Sequence, residues 1–98
     1  IVGKFPSSAN GRSIASGTTE GFVKVVADKK YGELLGCQIV GADAAEMIAE
    51  PTALMQMEIT VHEVADKIIH AHPSFSEAFM DACCDALGEC LNLPKKKK

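Results

Sequence analysis

The sequence predicts an α+β domain in which an antiparallel sheet, made of a hairpin and an N-terminal strand, is covered on one face by about three helices. Three observations support this class. The strand-like segments all lie within residues 1–40, helical periodicity begins only after them, and a short turn containing Asp and Gly joins two of the strands. With 98 residues, the chain is long enough for one small domain and too short for two.

Three segments have the composition of strands. Residues 1–5 look extended and end at Pro6. Residues 21–27 are β-branched and partly alternate between apolar and polar positions, and residues 33–40 follow as another strand. Because residues 28–32 (Asp-Lys-Lys-Tyr-Gly) favour a turn, we expect the last two strands to form a hairpin.

The segment between the first two strands is predicted to be a loop. Residues 6–17 are rich in Ser, Gly, Asn and Ala, and Asn10-Gly11 is a typical turn pair. The predicted order is therefore strands first and helices afterwards, with the helices packed on one face of the sheet.

Two helices are predicted in the middle of the chain. Apolar residues at helical spacing favour a helix over 44–59, in which Pro51 either introduces a kink or separates two shorter helices. We favour one kinked helix. A second helix is expected over 61–69, because Thr60 and Glu63 have the spacing of a capping box.

The last predicted helix follows the break at Pro73. Ser74 is expected to cap its N-terminus, and Gly88 is expected to mark its fraying end. Its apolar residues recur at the i, i+3 and i+4 spacing of a helix with one buried face. These residues are Phe75, Ala78, Phe79, Ala82, Cys83, Ala86, Leu87 and Cys90.

Composition argues against several classes of function. The net charge of -3 and the isoelectric point of about 5.5 argue against general nucleic-acid binding. No apolar run reaches the ~18 residues of a membrane helix, and no Gly-x-Gly-x-x-Gly or Walker-type loop is present to hold a nucleotide. The four cysteines are interpreted as reduced, buried thiols, which favours a reducing compartment.

The residues with the clearest chemical meaning lie around the His72-Pro73 pair. A His titrates near neutral pH, and a carboxylate beside it would stabilise the protonated ring and fix its tautomer. Glu77 follows at about one helical turn, so His72 and Glu77 form a candidate general acid–base pair. Ser74-x-x-Glu77 also fits a capping box, and the two interpretations are compatible.

Two further interpretations of this region stay open. His70, His72 and Cys83 could form a metal site, but their spacing is not that of a structural zinc site, so no metal is expected. The apolar helix faces could instead make an oligomerisation or docking module with no catalytic role. Docking alone, however, does not require an imidazole directly before Pro73.

The stretch from His70 to Ala78 closely resembles the C-terminal signature of the dihydrolipoyl dehydrogenases, a family of flavin disulfide reductases. The resemblance covers nearly the whole chain and implies the interface, or dimerisation, domain of that family, which is an α+β sandwich. Further matching stretches occur in the same order: Val2-Gly3-Lys4-Phe5-Pro6, Ala9-Asn10-Gly11-Arg12, Gly21-Phe22-Val23-Lys24, Leu35 to Gly41 and Ala45-Glu46-Met47-Ile48.

The resemblance implies roles for the residues of the candidate site. His72 would act at the site of the partner subunit as the base that deprotonates dihydrolipoamide, and Glu77 would hydrogen-bond and orient it. A cis peptide bond is expected at Pro73, which with His72 would lie near the partner's flavin and disulfide. Structural support is expected from three further residues, Ser74, Ser76 and His70.

The resemblance also implies cofactors and partners. A full-length parent enzyme would be a homodimer that uses FAD and NAD, while this chain alone is expected to bind neither and to be inactive. Its partners would be the lipoyl domains of 2-oxo acid dehydrogenase or glycine cleavage complexes, with no nucleic acid and no membrane. The expected location is the bacterial cytoplasm, with the mitochondrial matrix as the alternative. Glutathione reductases share a His-Pro…Glu arrangement and are the alternative family.

The predicted domain limits follow from the same comparison. The interface domain is expected over residues 1–93 and a Lys-rich, solvated tail over residues 94–98. Because family members have further strand before the position of Ile1, the domain is expected to lack its first segments. Departures from the family pattern at Pro51 and Phe75 leave the His–Glu pair unchanged.

Overall fold

A three-stranded antiparallel sheet forms one layer of the domain. In the computed structural model, which describes residues 1–89, its strands are Val2–Pro6 (β1), Phe22–Ala27 (β2) and Leu34–Val40 (β3). The sheet has the order β1-β2-β3, so the predicted hairpin and N-terminal strand are both present. The sheet and the helices described below confirm the predicted α+β class.

The pairing register decides which side chains face the helices. Val23 lies between Phe5 on β1 and Ile39 on β3. Because side chains alternate along a strand, every second residue from these positions shares one face. The opposite face, where Val2 pairs with Val26, is exposed. The strand residues buried on the inner face are Phe5, Val23, Val25, Ala27 and Leu34.

The helical side of the core is formed mainly by two helices, Val61–Asp66 (α4) and Glu77–Ala86 (α5). Helix α5 lies against β1 and β2, and α4 packs on α5. Gly88 follows α5 with a φ of 74°, a left-handed conformation common at helix ends. The buried apolar residues of the two helices are Val61, Val64, Ala78, Phe79, Ala82 and Cys83.

Helix α5 crosses β1 so closely at Gly3 that there is no room for a side chain at this position. A Cβ atom at this position would overlap the carbonyl oxygen of Ala82 and lie 2.5 Å from the amide nitrogen of Ala86. Beside this contact, the backbone amide of Lys4 donates a hydrogen bond of 2.9 Å to Oδ2 of Asp85. An acceptor on α5 therefore satisfies a backbone donor of β1.

Helix Gly11–Ser16 (α1) replaces the loop that the sequence analysis predicted between the first two strands. A short 3₁₀ turn, Ser7–Ala9, leads into it. Asn10, interpreted above as a turn residue, is the N-cap, and its side chain accepts a 2.9 Å bond from the amide of Ser13. Gly17 ends the helix with a φ of 71°. The prediction failed because six residues are too few to show helical periodicity.

The helix predicted over 44–59 is two helices, Ala44–Met47 (α2) and Ala49–Gln56 (α3). The prediction of a single kinked helix was therefore wrong. The division falls at Ile48 and not at Pro51, which is the third residue of α3. Proline is tolerated in the first turn because the backbone amides there have no partner within the helix.

Helix α4 begins as predicted and ends sooner than predicted. Thr60 Oγ1 accepts a 3.2 Å bond from the amide of Glu63, whose carboxylate accepts a 3.0 Å bond from the amide of Thr60. The predicted capping box is thus confirmed. The helix ends at Asp66, three residues before the predicted end at 69.

Each helix described within residues 1–89 is too short or too polar to span a membrane. The predicted tail at 94–98 and Cys90 lie outside the described residues.

Candidate acid–base site

His72 and Glu77 meet at the surface where α5 begins. The ring Nδ1 of His72 lies 2.9 Å from Oε1 and 3.0 Å from Oε2 of Glu77. The His72 side chain is 76% exposed, whereas that of Glu77 is 17% exposed. Within residues 1–89 no protein group is bonded to Nε2 of His72. The carboxylate therefore fixes one ring nitrogen and leaves the other open to a group from outside this chain.

The carboxylate of Glu77 also holds the loop that carries the ring. Its Oε1 accepts a 2.9 Å bond from the backbone amide of Ser74, in addition to its bond with His72. The intervening His72–Pro73 peptide bond is cis, as the resemblance implied. The carboxylate of Glu77 thus binds both His72 and Ser74, the residues on either side of Pro73.

Only half of the predicted capping box at this helix exists. Glu77 accepts from the amide of Ser74, but the hydroxyl of Ser74 is buried and has no hydrogen-bond partner among the described residues. The N-cap is Ser76, which makes no side-chain capping bond. The prediction of Ser74 as the cap was wrong because a turn precedes the helix, in which Phe75 accepts from the amide of Ala78.

His70 points in the opposite sense to His72. Its side chain is only 4% exposed, and Nε2 lies 2.6 Å from Oε2 of Glu50 on α3. The hydrogen bond to Glu50 raises the pKa of His70, while partial burial of the ring acts against this rise. His70 therefore anchors the segment to α3, and His72, two residues later, faces outward.

The His70–Glu50 pair makes the stability of the chain depend on pH. Because the folded-state pKa of His70 is raised above 6.5, the contribution is fully present below the unfolded pKa and is lost as pH rises through the folded pKa. Replacing His70 by Gln is expected to lower the free energy of unfolding by about 1–3 kcal/mol in acid, and by less as pH increases.

Urea unfolding of the unchanged protein and of His70→Gln between about pH 5 and pH 9 measures this effect. The matched control is His62→Gln, because His62 is an exposed residue on α4. A destabilisation by His70→Gln that stays constant across this range would contradict the account.

The metal site left open by the sequence is not formed in the described part of the chain. His70 binds Glu50, His72 is at the surface, and Cys83 is fully buried in the core. Among residues 1–89 no three His, Cys, Asp or Glu side chains are arranged to hold a metal ion.

The described cysteines lack the properties of a reactive disulfide pair. No disulfide joins Cys37, Cys83 and Cys84. Burial, with a smaller contribution from Glu50, raises the pKa of Cys37 to about 11. Burial also raises the pKa of Cys83. Because the thiolate is the reactive form, Cys37 and Cys83 are inert thiols at neutral pH.

Two residues that hold the site were not predicted from the sequence. Glu50 gave no sequence signal, because a single carboxylate in a helix is usually solvated. Asn10 was assigned only to a turn, yet its Nδ2 donates a 3.0 Å bond to the carbonyl oxygen of Ser74. The spacing of Asn10 and Ser13 fits an N-cap and its N3 partner, and this signal could have revealed α1.

Comparison with known proteins shows similarity over most of the chain. Dihydrolipoyl dehydrogenase of Halobacterium salinarum is 47% identical over 92 residues, which are 94% of this chain and 19% of that protein. The crystal structure of LpdA from Mycobacterium tuberculosis matches with a TM-score of 0.79 and 29% identity, covering 85% of this chain and 18% of that one. The HOCl-induced flavoprotein disulfide reductase RclA from Escherichia coli matches with a TM-score of 0.76 and 29% identity, covering 85% of this chain and 19% of that one.

The chain thus spans about a fifth of the length of these relatives. A family-level match agrees with the fold and with the resemblance of the segment around His72. Residues 1–83 match the family described as pyridine nucleotide-disulphide oxidoreductase, dimerisation domain. The chain therefore belongs to the dimerisation-domain family of the pyridine nucleotide-disulphide oxidoreductases.

Proposed function

We propose that this chain is the dimerisation domain of a dihydrolipoyl dehydrogenase and that it supplies His72 as the base at the disulfide site of a partner subunit. The observation that carries the proposal is the His72 ring itself, which is 76% exposed while Nδ1 is bonded to Glu77. An imidazole held in this way presents Nε2 as a proton acceptor.

The proposed step is proton removal from a substrate thiol. In thiol–disulfide exchange the thiolate is the nucleophile, so a base that takes the S–H proton activates the dithiol. Nε2 of His72 accepts this proton, and Glu77 stabilises the imidazolium through Nδ1–H. The thiolate attacks one sulfur of a disulfide, a mixed disulfide forms, and the displaced thiolate takes the proton held at Nε2 of His72. His72 then accepts the proton of the second substrate thiol, and the resulting thiolate attacks the mixed disulfide. The substrate leaves as a disulfide, and the second sulfur of the original disulfide is released as a thiolate.

The disulfide in this proposal belongs to another polypeptide. Cys83 is fully buried and Cys37 is half-buried on the inner face of the sheet, so neither can meet a substrate at His72. The exposure of the His72 ring supports a site that is completed by a second chain. Membership of the dimerisation-domain family implies self-association, which supports a copy of the same protein as this second chain.

FAD and NAD are the cofactors proposed for the full-length protein. The 98 residues contain no glycine-rich phosphate-binding fingerprint, so they do not fit either dinucleotide. The proposed chemistry of this chain is therefore limited to holding and moving a proton at His72, close to the partner's flavin and disulfide.

The proposed substrates are the dihydrolipoyl groups carried by lipoyl domains of 2-oxo acid dehydrogenase or glycine cleavage complexes. A bacterial cytoplasm is the proposed location, with the mitochondrial matrix as the alternative. Absence of disulfides among the described cysteines is consistent with a reducing compartment.

Replacing Glu77 by Gln tests the proposed orientation of His72. The amide keeps the shape of the side chain but removes the negative charge that stabilises the imidazolium. In the full-length protein, we expect kcat for dihydrolipoamide oxidation to fall by roughly 10–100-fold, a part of what a positioned acid–base group contributes. Steady-state kinetics with dihydrolipoamide measures this loss.

Glu63→Gln provides the matched control. Glu63 also accepts a hydrogen bond from the backbone amide of the residue three positions earlier at the start of a helix. Its helix begins at the end of the sheet where β2 turns into β3. Its replacement should leave kcat unchanged. Equal losses of kcat in the two variants would show that Glu77 acts only as a helix-capping residue.

A further inference from the structure

We propose that Asn10 is a positioning residue for the His72–Glu77 pair and that it acts through the carbonyl group of Ser74. The inference rests on the proposed function of His72. It assigns a role to α1, the helix that the sequence analysis did not predict.

The side chain of Asn10 is buried, and both its oxygen and its nitrogen form hydrogen bonds. The residue is 2% exposed. Its Oδ1 accepts from both the amide (2.9 Å) and the hydroxyl (3.0 Å) of Ser13, and its Nδ2 donates to the carbonyl oxygen of Ser74 at 3.0 Å. Reversing the amide would place its NH₂ group against the N–H of Ser13, so the network fixes one orientation. The rigid start of α1 therefore sets the direction of the donor to Ser74.

Ser74 is the point at which α1 meets the candidate site. Asn10 binds its carbonyl oxygen, and Glu77 accepts from its amide. These two groups belong to the peptide units on either side of the Ser74 Cα atom, so both units are fixed. The same Oε1 of Glu77 that accepts from Ser74 also binds Nδ1 of His72. Displacement of Ser74 would thus change the position of the carboxylate relative to the ring.

Two other residues of α1 support this contact. A Cβ atom at Gly11 would lie 3.9 Å from Cε1 of His72, so the start of the helix borders the ring. The guanidinium carbon of Arg12 lies 5.2 Å from the centroid of the Phe75 ring, a cation–π distance. The N-cap Asn10 and Arg12 therefore contact the segment from His72 to Phe75, and Gly11 lies beside the ring of His72.

A merely structural role for Asn10 would be that of an N-cap. Thr60 provides the comparison, because it also accepts the amide of the residue three positions later at the start of a short helix. Thr60 lies at the end of the sheet where β2 turns into β3. Asn10 follows β1 at the opposite end of the strands. Asn10→Ser retains a good N-cap residue but has no donor that reaches Ser74. Asn10→Ala removes both functions.

The experiment compares Asn10→Ser, Asn10→Ala, Thr60→Ala and His72→Gln in the full-length protein. We expect both Asn10 variants to lower kcat for dihydrolipoamide oxidation by roughly 10-fold or more, because small displacements of a reacting group are costly. Thr60→Ala should lower the melting temperature and leave kcat unchanged. In addition, ¹⁵N NMR of histidine-labelled protein reports which ring nitrogen of His72 carries the proton. The Asn10 variants should reduce the share of the Nδ1–H tautomer.

The outcomes separate this inference from the proposed function. Loss of kcat in His72→Gln together with unchanged kcat and ring spectra in Asn10→Ser would overturn the role of Asn10 and leave the role of His72 intact. Unchanged kcat in His72→Gln would overturn the proposed function, and the ring spectra of the Asn10 variants would then decide whether Asn10 positions the pair at all.

Discussion

Replacing His72 by Gln in the full-length protein is expected to reduce kcat for dihydrolipoamide oxidation by roughly 10²–10⁴-fold, the usual contribution of a positioned general base. Gln has no group that accepts a proton near neutral pH. Because His72 is 76% exposed and its bond with Glu77 lies at the surface, the replacement should leave stability nearly unchanged. The loss therefore reports on chemistry and not on folding.

A second activity that the proposed function implies for the full-length protein gives the internal control. Reduction of an artificial electron acceptor by NADH through the flavin requires no deprotonation of a dithiol, so it should change little in His72→Gln. His62→Gln, at an exposed position of α4, should leave both activities unchanged. If His72→Gln reduced both activities equally, or neither, the assigned role of His72 would be wrong.

Replacing Gly3 by Ala should produce the largest loss of stability. The added Cβ would overlap the carbonyl oxygen of Ala82 and lie 2.5 Å from the amide nitrogen of Ala86. Both are backbone atoms of α5 and cannot rotate away as a side chain would, so the helix must separate from β1. We expect the free energy of unfolding to fall by about 2–4 kcal/mol, as for overpacked core positions. Urea unfolding followed by circular dichroism measures the change.

Gly36→Ala is the matched control, because Gly36 also lies within a strand of the same sheet. No described heavy atom lies within 4 Å of the Cβ position at Gly36. Since Gly inside a strand costs conformational entropy, this variant should be neutral or more stable by about 0.5 kcal/mol. Similar destabilisation of the two variants would refute the close contact between α5 and β1.

The α+β class and the three strands were predictable because they depend on local patterns. The hairpin between β2 and β3 follows from β-branched residues on both sides of the turn at 28–32. The close crossing of α5 over Gly3 was not predictable, since it depends on residues about 80 positions apart. Helix α1 was missed because its six residues carry no apolar period.

The candidate site likewise contains residues that could be predicted from local sequence and residues that could not. His72 and Glu77 could be paired from sequence because they are five residues apart on either side of a turn. Glu50 and Asn10 reach this segment from 20 and 64 positions away, at His70 and Ser74 respectively. Such contacts are set by the packing of α1 and α3 and leave no trace in a local pattern.

The most direct test of the central claim is subunit complementation. One full-length variant carries His72→Gln, and a second has the cysteines of the proposed redox disulfide replaced by Ser, so each is expected to be inactive alone. If His72 serves the partner's disulfide, mixed dimers contain one complete site, and random reassociation of equal amounts should restore about a quarter of wild-type dihydrolipoamide oxidation. Mixed dimers that stay inactive, although formed, would show that His72 does not act across the dimer interface.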